Sequence, residues 1–346
     1  MTRPVSLPHG RTRWGALLVL AVLALGIAAG WAWRDYQRFT NTPLAVGTHA
    51  SIDIPRGLTF KGIVRELRRA QLTRAAPLYW RVLAEEMGVT GRLHAGEYAL
   101  APGLTPREFL RRLAAGEVVQ HRFTIVDGWT FRQLRVALAA EAGLQQTLPG
   151  QSDTAIAERL GIADGHPEGW FLPETYAWVK GEADFDVLER AHQAMCKTLE
   201  AAWARRAPAV TLASPYEALI LASIVEKETG VPAERPLIAG VFLRRLKFGM
   251  RLQTDPTVIY GIGDAYDGNI RRRDLETDTP WNTYTRDGLP PTPIALPGKP
   301  ALEAVMHPAP GDALYFVARG DGSHAFSATL AEHNRAVRKY QLRGGR

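Results

Sequence analysis

Two glutamates lie at the end of an apolar run in ALILASIVEKETG, residues 218–230. Glu226 and Glu228 stand on either side of Lys227. If the run is helical, position 228 extends an apolar stripe that begins at Leu221 and advances in steps of three and four residues. Glu226 then falls nearer the margin of that stripe, and Lys227 faces away from it.

This placement favours an acid that keeps its proton. Apolar surroundings raise the pKa of a carboxyl group because they disfavour its charged form, and the negative end of the helix dipole acts in the same direction. A Glu228 that is protonated near neutral pH has the state that a general acid requires. Glu226 is the alternative acid. The other interpretation is that both glutamates are ordinary polar residues at a helix end.

Length and composition describe an ordinary folded chain with room for two domains. The sequence has 346 residues, of which 46% are hydrophobic and 22% charged, and its net charge is +7. The basic runs are short and interleaved with acids or leucines, so we expect no nucleic-acid partner. Cys196 is the single cysteine, which excludes an intrachain disulfide and a cysteine-based zinc site.

Other chemistries have less support in the sequence. The glycines of GIGDAYDG (261–268) lack the spacing of a nucleotide-binding loop, and no G-x-S-x-G elbow for a serine nucleophile is present. His307, His324 and His333 lie in one region, but their spacing differs from that of a helical zinc motif. We therefore expect no metal and no cofactor.

The N-terminal region predicts a membrane anchor. Residues 14–33, WGALLVLAVLALGIAAGWAW, carry no charge over twenty positions and have tryptophans at both ends. Arginines precede this segment, so we expect residues 1–13 to stay in the cytoplasm as a short tail. A cleaved signal peptide is the competing interpretation, but the apolar stretch is long and no convincing cleavage site follows it.

The remaining sequence predicts an α+β fold in two parts. Residues 45–120 contain a strand–helix–helix–strand (βααβ) unit, in which SIDI and GEYAL alternate as strands do and Thr59 and Pro77 begin helices. Residues 121–340 form a larger part of mixed helices and strands. Its loops at 168–178, 250–269 and 281–298 are rich in aromatic residues and proline, which suits a cleft for a sugar chain.

Several motifs resemble those of the YceG-like family, the MltG-type endolytic murein transglycosylases. The stretches that carry the resemblance are EGWFLPETY, ILASIVEKETG, MRLQTDPTVIYG, NTYTRDGLPPTPIALPG and YFVARGDGSHAFSATLAEHN. They extend over almost the whole chain after the apolar segment. The sequence departs from familiar members at Gly230 and Pro232, which can alter the end of the helix without changing the acid.

The resemblance implies a single-pass enzyme of the inner membrane whose catalytic domain, residues 121–340, is periplasmic. It implies that the βααβ unit is LysM-like and that the substrate is the nascent glycan strand of peptidoglycan. Such enzymes cut between N-acetylmuramic acid and N-acetylglucosamine and leave a 1,6-anhydro end. The family's catalytic glutamate then corresponds to Glu228, and peptidoglycan synthases are possible partners. The substrate-binding residues that we expect are Glu174, Tyr176, Gln253, Thr254, Asp255, Asn282 and Tyr284.

Two other functions remain open at this point. One is a hydrolytic muramidase, in which Glu228 is the acid and Asp255 activates water, as in glycosidases that use two carboxylates. The other is a wall-binding scaffold that organises synthesis without cutting. The products separate the first alternative from transglycosylation, because only hydrolysis adds a water molecule.

Overall fold

The computed structural model describes residues 11–342 of the protein, and residues 1–10 of the predicted cytoplasmic tail lie outside this range. The chain is divided into two compact units, with the boundary between Gln120 and His121. We call them unit 1 and unit 2. Both units contain helices and short two-stranded sheets, as the α+β prediction requires.

The apolar segment forms helix α1 (Arg11–Asn41), which is longer than the predicted span of 14–33. Within the described residues, it is the one helix long and apolar enough to cross a membrane. The C-terminal end of α1 belongs to unit 1, since Tyr36, Phe39 and Thr40 are buried there. The Phe39 ring packs edge to face on Trp80, with the ring centroids 5.2 Å apart.

Unit 1 contains the predicted strand–helix–helix–strand order. Its sheet is an antiparallel pair whose register runs from Ser51 opposite Ala99 to Ile54 opposite Gly96. The elements that follow α1 are β1 (Ser51–Ile54), α2 (Phe60–Arg69), α3 (Pro77–Glu86), β2 (Gly96–Ala99) and α4 (Pro106–Ala115). The prediction of a βααβ order is confirmed, whereas the LysM-like character of this unit stays a prediction.

Local sequence explains where these helices begin and end. The Thr59 hydroxyl accepts a hydrogen bond from the Gly62 amide and caps α2, as predicted, and Thr105 caps α4 in the same way. Gly116 ends α4 in a left-handed conformation that glycine adopts without a steric penalty. Trp80, with Tyr98, lies fully buried at the centre of the unit.

Unit 2 is mainly helical, with two small sheets. Strands β3 and β4 form one sheet, and β5 and β6 form an antiparallel pair from Tyr315 opposite Ser327 to Ala318 opposite His324. The elements are β3 (Gln120–Thr124), α5 (Phe131–Ala139), α6 (Asp153–Leu160), β4 (Thr175–Val179), α7 (Asp184–Ala204), α8 (Pro215–Glu228), α9 (Arg235–Lys247), α10 (Asp255–Ile262), α11 (Arg272–Glu276), α12 (Lys299–Met306), β5 (Tyr315–Ala318), β6 (His324–Ser327) and α13 (Leu330–Val337). A π-helical turn (Arg338–Leu342) follows α13.

Helix α8 lies in the core of unit 2. Every residue from Ala218 to Val225 is buried, and the helix packs against α7, α9 and α12. The expectation of a one-sided apolar stripe was therefore too narrow, since a helix that is apolar all round is enclosed by its neighbours. Burial of the helix consequently does not distinguish Glu226 from Glu228, and their partners must do so.

Two of the three predicted loops contain regular structure. The segment 250–269 includes α10, which begins at Asp255 with Pro256 in its first turn, where a proline is tolerated because that amide has no helical partner. The segment 168–178 includes the first residues of β4. The glycine and proline residues of 250–269 are typical of a loop, and the apolar pattern of TVIYGI is too short to predict a helix there.

The buried end of α1 leads to a prediction about shortened chains. A chain that lacks residues 1–33 keeps Tyr36 and Phe39 and should fold with a stable unit 1. A chain that lacks residues 1–41 loses both rings and should lose several kcal/mol of unit 1 stability, since removing one buried aromatic side chain costs about 3–5 kcal/mol. Urea unfolding of the two chains measures the difference. Equal stability would show that the end of α1 does not support unit 1.

Candidate active site

Glu228 is the last residue of α8, and the backbone turns away directly after it. Thr229 is extended, with φ −145° and ψ 136°, and ends the helix. Val231 precedes Pro232 and is also extended, which is the conformation that a following proline favours. The core helix α8 therefore fixes the backbone position of Glu228, while the side chain is half-buried at the edge of the core.

Thr254 supplies the hydrogen bond to the Glu228 carboxyl group. Its Oγ1 donates to Glu228 Oε1. Thr254 stands at the N-cap position of α10, yet its side chain makes no capping bond there. Gln253, the residue before it, has a positive φ of 48°, which is uncommon outside glycine and costs on the order of 1 kcal/mol or more. This strained turn carries Thr254 to Glu228.

Asp255 and Tyr284 form a second polar pair near the acid. The Tyr284 hydroxyl donates to Asp255 Oδ1 at 2.6 Å. Thr283, next to Tyr284, accepts a hydrogen bond on Oγ1 from the Thr254 amide at 3.1 Å. The loops at 250–255 and 281–284 are therefore held together, and both reach the end of α8.

Several of these residues line a pocket of about 420 Å³, which we call the acid pocket. Its volume lies within the range of small-molecule sites. Besides the predicted residues, it is lined by side chains from α9, from strands β5 and β6 and from helix α13. The lining includes Glu228, Gln253, Asp255, Tyr284, Arg245, Tyr315, His324 and His333.

Burial raises the pKa of Glu228 to about 7. The Thr254 hydrogen bond opposes this effect, and the negative charge of Asp255 adds to it. The positive charges of His324 and Arg245 lower the pKa by smaller amounts. Glu228 is thus protonated in an appreciable fraction of molecules near neutral pH, which allows it to donate a proton and later accept one.

Glu226 has different partners. Its Oε1 accepts from Arg235 Nη2 at 3.2 Å, and its Oε2 accepts from the Gly298 amide at 2.9 Å. The ion pair is buried, with side-chain exposures of 14% for Arg235 and 5% for Glu226. Glu226 is not among the residues that line the acid pocket. Its contacts join the end of α8 to α9 and to the loop before α12.

Three predicted substrate-binding residues lie away from the acid pocket. Tyr176 is buried in the core, and its hydroxyl donates to the Leu172 carbonyl at 2.7 Å. Asn282 is fully buried; its amide group donates to loop carbonyls, and its Oδ1 accepts from the Tyr284 amide at 2.8 Å. Glu174 pairs with Lys299 at 2.6 Å. Asn282 thus shapes the loop that carries Tyr284.

Sequence reasoning missed Arg245 and His324 as part of the pocket. Arg245 is buried and donates to the carbonyls of Leu314 (2.7 Å) and Leu252 (2.8 Å). The Nδ1 of His324 lies 2.7 Å from a carboxylate oxygen of Glu234. The sequence signal was the match to YFVARGDGSHAFSATLAEHN, which contains His324 but gives no indication of its distance from α8.

The three C-terminal histidines are engaged separately. His324 pairs with Glu234, His333 stacks on Tyr315 with centroids 5.2 Å apart, and His307 lies 3.7 Å from Glu303. Within the part of the chain that the structure describes, no cluster of three histidine, cysteine or acidic side chains could hold a metal ion.

Comparison with known proteins agrees with the resemblance. The model of the YceG-like family matches residues 52–339, which is most of the chain. The chain belongs to the YceG-like family. A relative from Bacillus subtilis, described as an endolytic murein transglycosylase, is 30% identical over 310 residues. The alignment covers 85% of this chain and 85% of the Bacillus protein.

Two further similar proteins are a longer relative and a protein whose crystal structure is known. The endolytic murein transglycosylase of Streptococcus pneumoniae is 28% identical over 360 residues, and the alignment covers 93% of this chain and 64% of the pneumococcal protein. The crystal structure of the yceG-like protein lmo1499 from Listeria monocytogenes aligns with a TM-score of 0.53 at 28% identity. It covers 82% of this chain and 98% of the Listeria chain.

The raised pKa of Glu228 predicts how stability depends on pH. Between about 4.5 and 7 the folded protein retains a proton that the unfolded chain loses, so the cost of ionising Glu228 is absent below this window and complete above it. Glu228→Gln should therefore stabilise the protein at pH 8, on the order of 3 kcal/mol, and have little effect at pH 4. Urea unfolding at both pH values measures this change.

Glu200, which is exposed on α7, provides the control. Glu200→Gln removes one negative charge on the surface, outside the acid pocket, so it should change stability by less than about 0.5 kcal/mol at either pH. An equal effect of the two substitutions at pH 8 would contradict the raised pKa.

Proposed function

We propose that this chain is an endolytic lytic transglycosylase of peptidoglycan, with Glu228 as its general acid and then its base. The observation that carries the proposal is a single half-buried carboxyl with a pKa of about 7, hydrogen-bonded to Thr254, in a pocket of a YceG-like protein. The relatives described as endolytic murein transglycosylases support the same reaction.

The reaction needs one carboxyl group and no water. Protonated Glu228 donates its proton to the glycosidic oxygen between N-acetylmuramic acid and N-acetylglucosamine, and the bond from that oxygen to C1 breaks. The ionised Glu228 then accepts the proton of the muramyl 6-hydroxyl, whose oxygen bonds to C1 and closes the 1,6-anhydro ring. The acid is restored, and its intermediate pKa suits both steps.

The other polar residues of the acid pocket would hold the sugar. We propose that Gln253, Asp255 and Tyr284 bind hydroxyl or acetamido groups of the substrate, and that Thr254 positions the acid. An intramolecular attack by the 6-hydroxyl gains greatly from such orientation, because positioning of the reacting groups can supply several kcal/mol.

The location and partners are also proposals. Helix α1 suits a single anchor in the inner membrane. The N-terminal tail would then lie in the cytoplasm and unit 2 in the periplasm. The βααβ order of unit 1 suits a LysM-like module for glycan. Peptidoglycan synthases, which make the nascent strands, are the partners that this location would bring near.

Hydrolysis by a muramidase is the second candidate, because Asp255 lines the same pocket as Glu228. In such a reaction Asp255 would activate a water molecule. Its carboxylate is instead engaged by the Tyr284 hydroxyl at 2.6 Å, an arrangement that suits binding of a sugar.

Substitution of the two glutamates tests the assignment of the acid. Glu228→Gln should abolish cleavage of uncrosslinked glycan strands, at least about a hundredfold, because no proton donor remains. Glu226→Gln should lower stability by about 3–5 kcal/mol, since it leaves Arg235 in a buried, unpaired state, and the folded fraction should still cleave. If Glu228→Gln cleaves like the unaltered protein, or if Glu226→Gln alone is inactive while folded, Glu228 is not the acid.

Product analysis with Asp255→Asn separates the two reactions. We expect the unaltered protein to give anhydro ends, lighter by one water molecule than hydrolysed ends, and Asp255→Asn to give the same anhydro ends at a reduced rate. Mass spectrometry of the released fragments provides the measurement. Reducing ends from the unaltered protein, lost in Asp255→Asn, would indicate a muramidase.

A further inference from the structure

Unit 2 has a second pocket, of about 790 Å³, which we call the side pocket. It shares its boundary with the acid pocket: Lys227 lines the side pocket and Glu228 the acid pocket, while Pro256 lines the side pocket and Asp255 the acid pocket. Successive Cα atoms are about 3.8 Å apart. The C-terminal end of α8 and the first turn of α10 therefore separate two neighbouring pockets.

Most charges in the side pocket are paired within the protein. Arg132 pairs with Asp264, and Asp153 pairs with Arg135. Lys227 has no such pair: its Nζ donates to the Gly128 carbonyl at 3.2 Å, and no described carboxylate lies within ion-pair distance of it. Among the described residues, the pocket thus offers a ligand one lining cation that has no ion-pair partner, which favours an anionic group.

One wall of the side pocket is apolar. The rings of Tyr260 and Trp281 pack edge to face with centroids 5.4 Å apart, and Ile259 lies beside them in the lining. The polar atoms of both rings are already used, because Trp281 Nε1 donates to Thr292 at 2.9 Å and Tyr260 donates to Glu168 at 3.1 Å. Both rings therefore present mainly carbon atoms to a ligand.

Glu168 also lines the side pocket, and its buried carboxyl group already has hydrogen-bond partners. Its side chain accepts from the Phe131 amide at 2.9 Å as well as from Tyr260, and burial raises its pKa to about 7. Glu168 is only 6% exposed and both of its oxygens accept hydrogen bonds from the protein, so it is not a free acceptor for a ligand. Lys227 consequently remains as the charged side chain of the side pocket that can pair with a ligand.

We propose that the side pocket binds an acidic peptide branch carried by the sugar next to the cleaved bond, with Lys227 pairing with a carboxylate of that peptide. The inference rests on the proposed function, in which the reacting N-acetylmuramic acid carries such a branch. The glycan lies in the acid pocket, and the branch crosses the ends of α8 and α10. The apolar wall contacts the small aliphatic side chains of the peptide.

The test compares peptide-bearing, uncrosslinked strands with the same strands after their peptide carboxylates have been converted to amides. This conversion removes the charge and keeps the size of the branch. The full-length protein in detergent should prefer the charged strands, by about tenfold in kcat/KM, as expected for one charge-assisted hydrogen bond. Lys227→Gln should remove the preference, and Lys227→Glu should reverse it.

Lys197→Gln is the matched control, since Lys197 is exposed on α7 and lines neither pocket. It should keep the preference of the unaltered protein. An unchanged preference in Lys227→Gln and Lys227→Glu, or no preference in the unaltered protein, would overturn the proposal. The side pocket would then bind sugars or have no ligand.

A binding measurement keeps this test separate from the proposed reaction. Isothermal titration of the full-length protein with an N-acetylmuramyl tripeptide, and with its amidated form, reports the charge preference without cleavage. A preference that depends on Lys227 supports the side pocket even if the strands are not cut, in which case only the proposed reaction fails. Equal affinities for the two forms would refute the peptide site even in a protein that cuts normally.

Discussion

The cost of ionising a carboxyl group at the edge of a hydrophobic core is the constraint on which this site depends. Glu228 ends a helix that is buried on all sides, so its carboxyl receives little hydration. It has a hydroxyl as a hydrogen-bond partner and lacks the ion pair that neutralises Glu226. A pKa of about 7 follows from this combination. The two glutamates, two residues apart, therefore have different chemistry.

The rest of unit 2 can be understood as a support for that carboxyl group. Helices α7, α9 and α12 enclose α8 and fix the position of its last residue. The hydrogen bond from the Thr254 amide to Thr283 holds two loops against each other, so that the Thr254 hydroxyl reaches Glu228 and Tyr284 lines the acid pocket. Rigid support of this kind is what a group that must transfer a proton requires, because small displacements reduce the rate strongly.

The sequence predicted the elements whose signals are local. Thr59 as a cap and the apolar run before Glu226 were identifiable because capping and burial leave patterns within a few residues. Pairing across the fold left no such pattern. The ion pair of Glu226 with Arg235, the core position of Tyr176 and the approach of His324 to the acid pocket depend on tertiary contacts. Helix α10 was missed because its glycine and proline resemble those of a loop.

The central claim is that Glu228 carries its proton near neutral pH, and direct titration of its carboxyl group tests this claim. Carbon-13 NMR of the protein with labelled glutamate, assigned by comparison with Glu228→Gln, follows the carboxyl resonance as pH changes. The account predicts a midpoint near 7 for the resonance that disappears in the variant. A midpoint near 4.5, the ordinary value of a solvated glutamate, would contradict it.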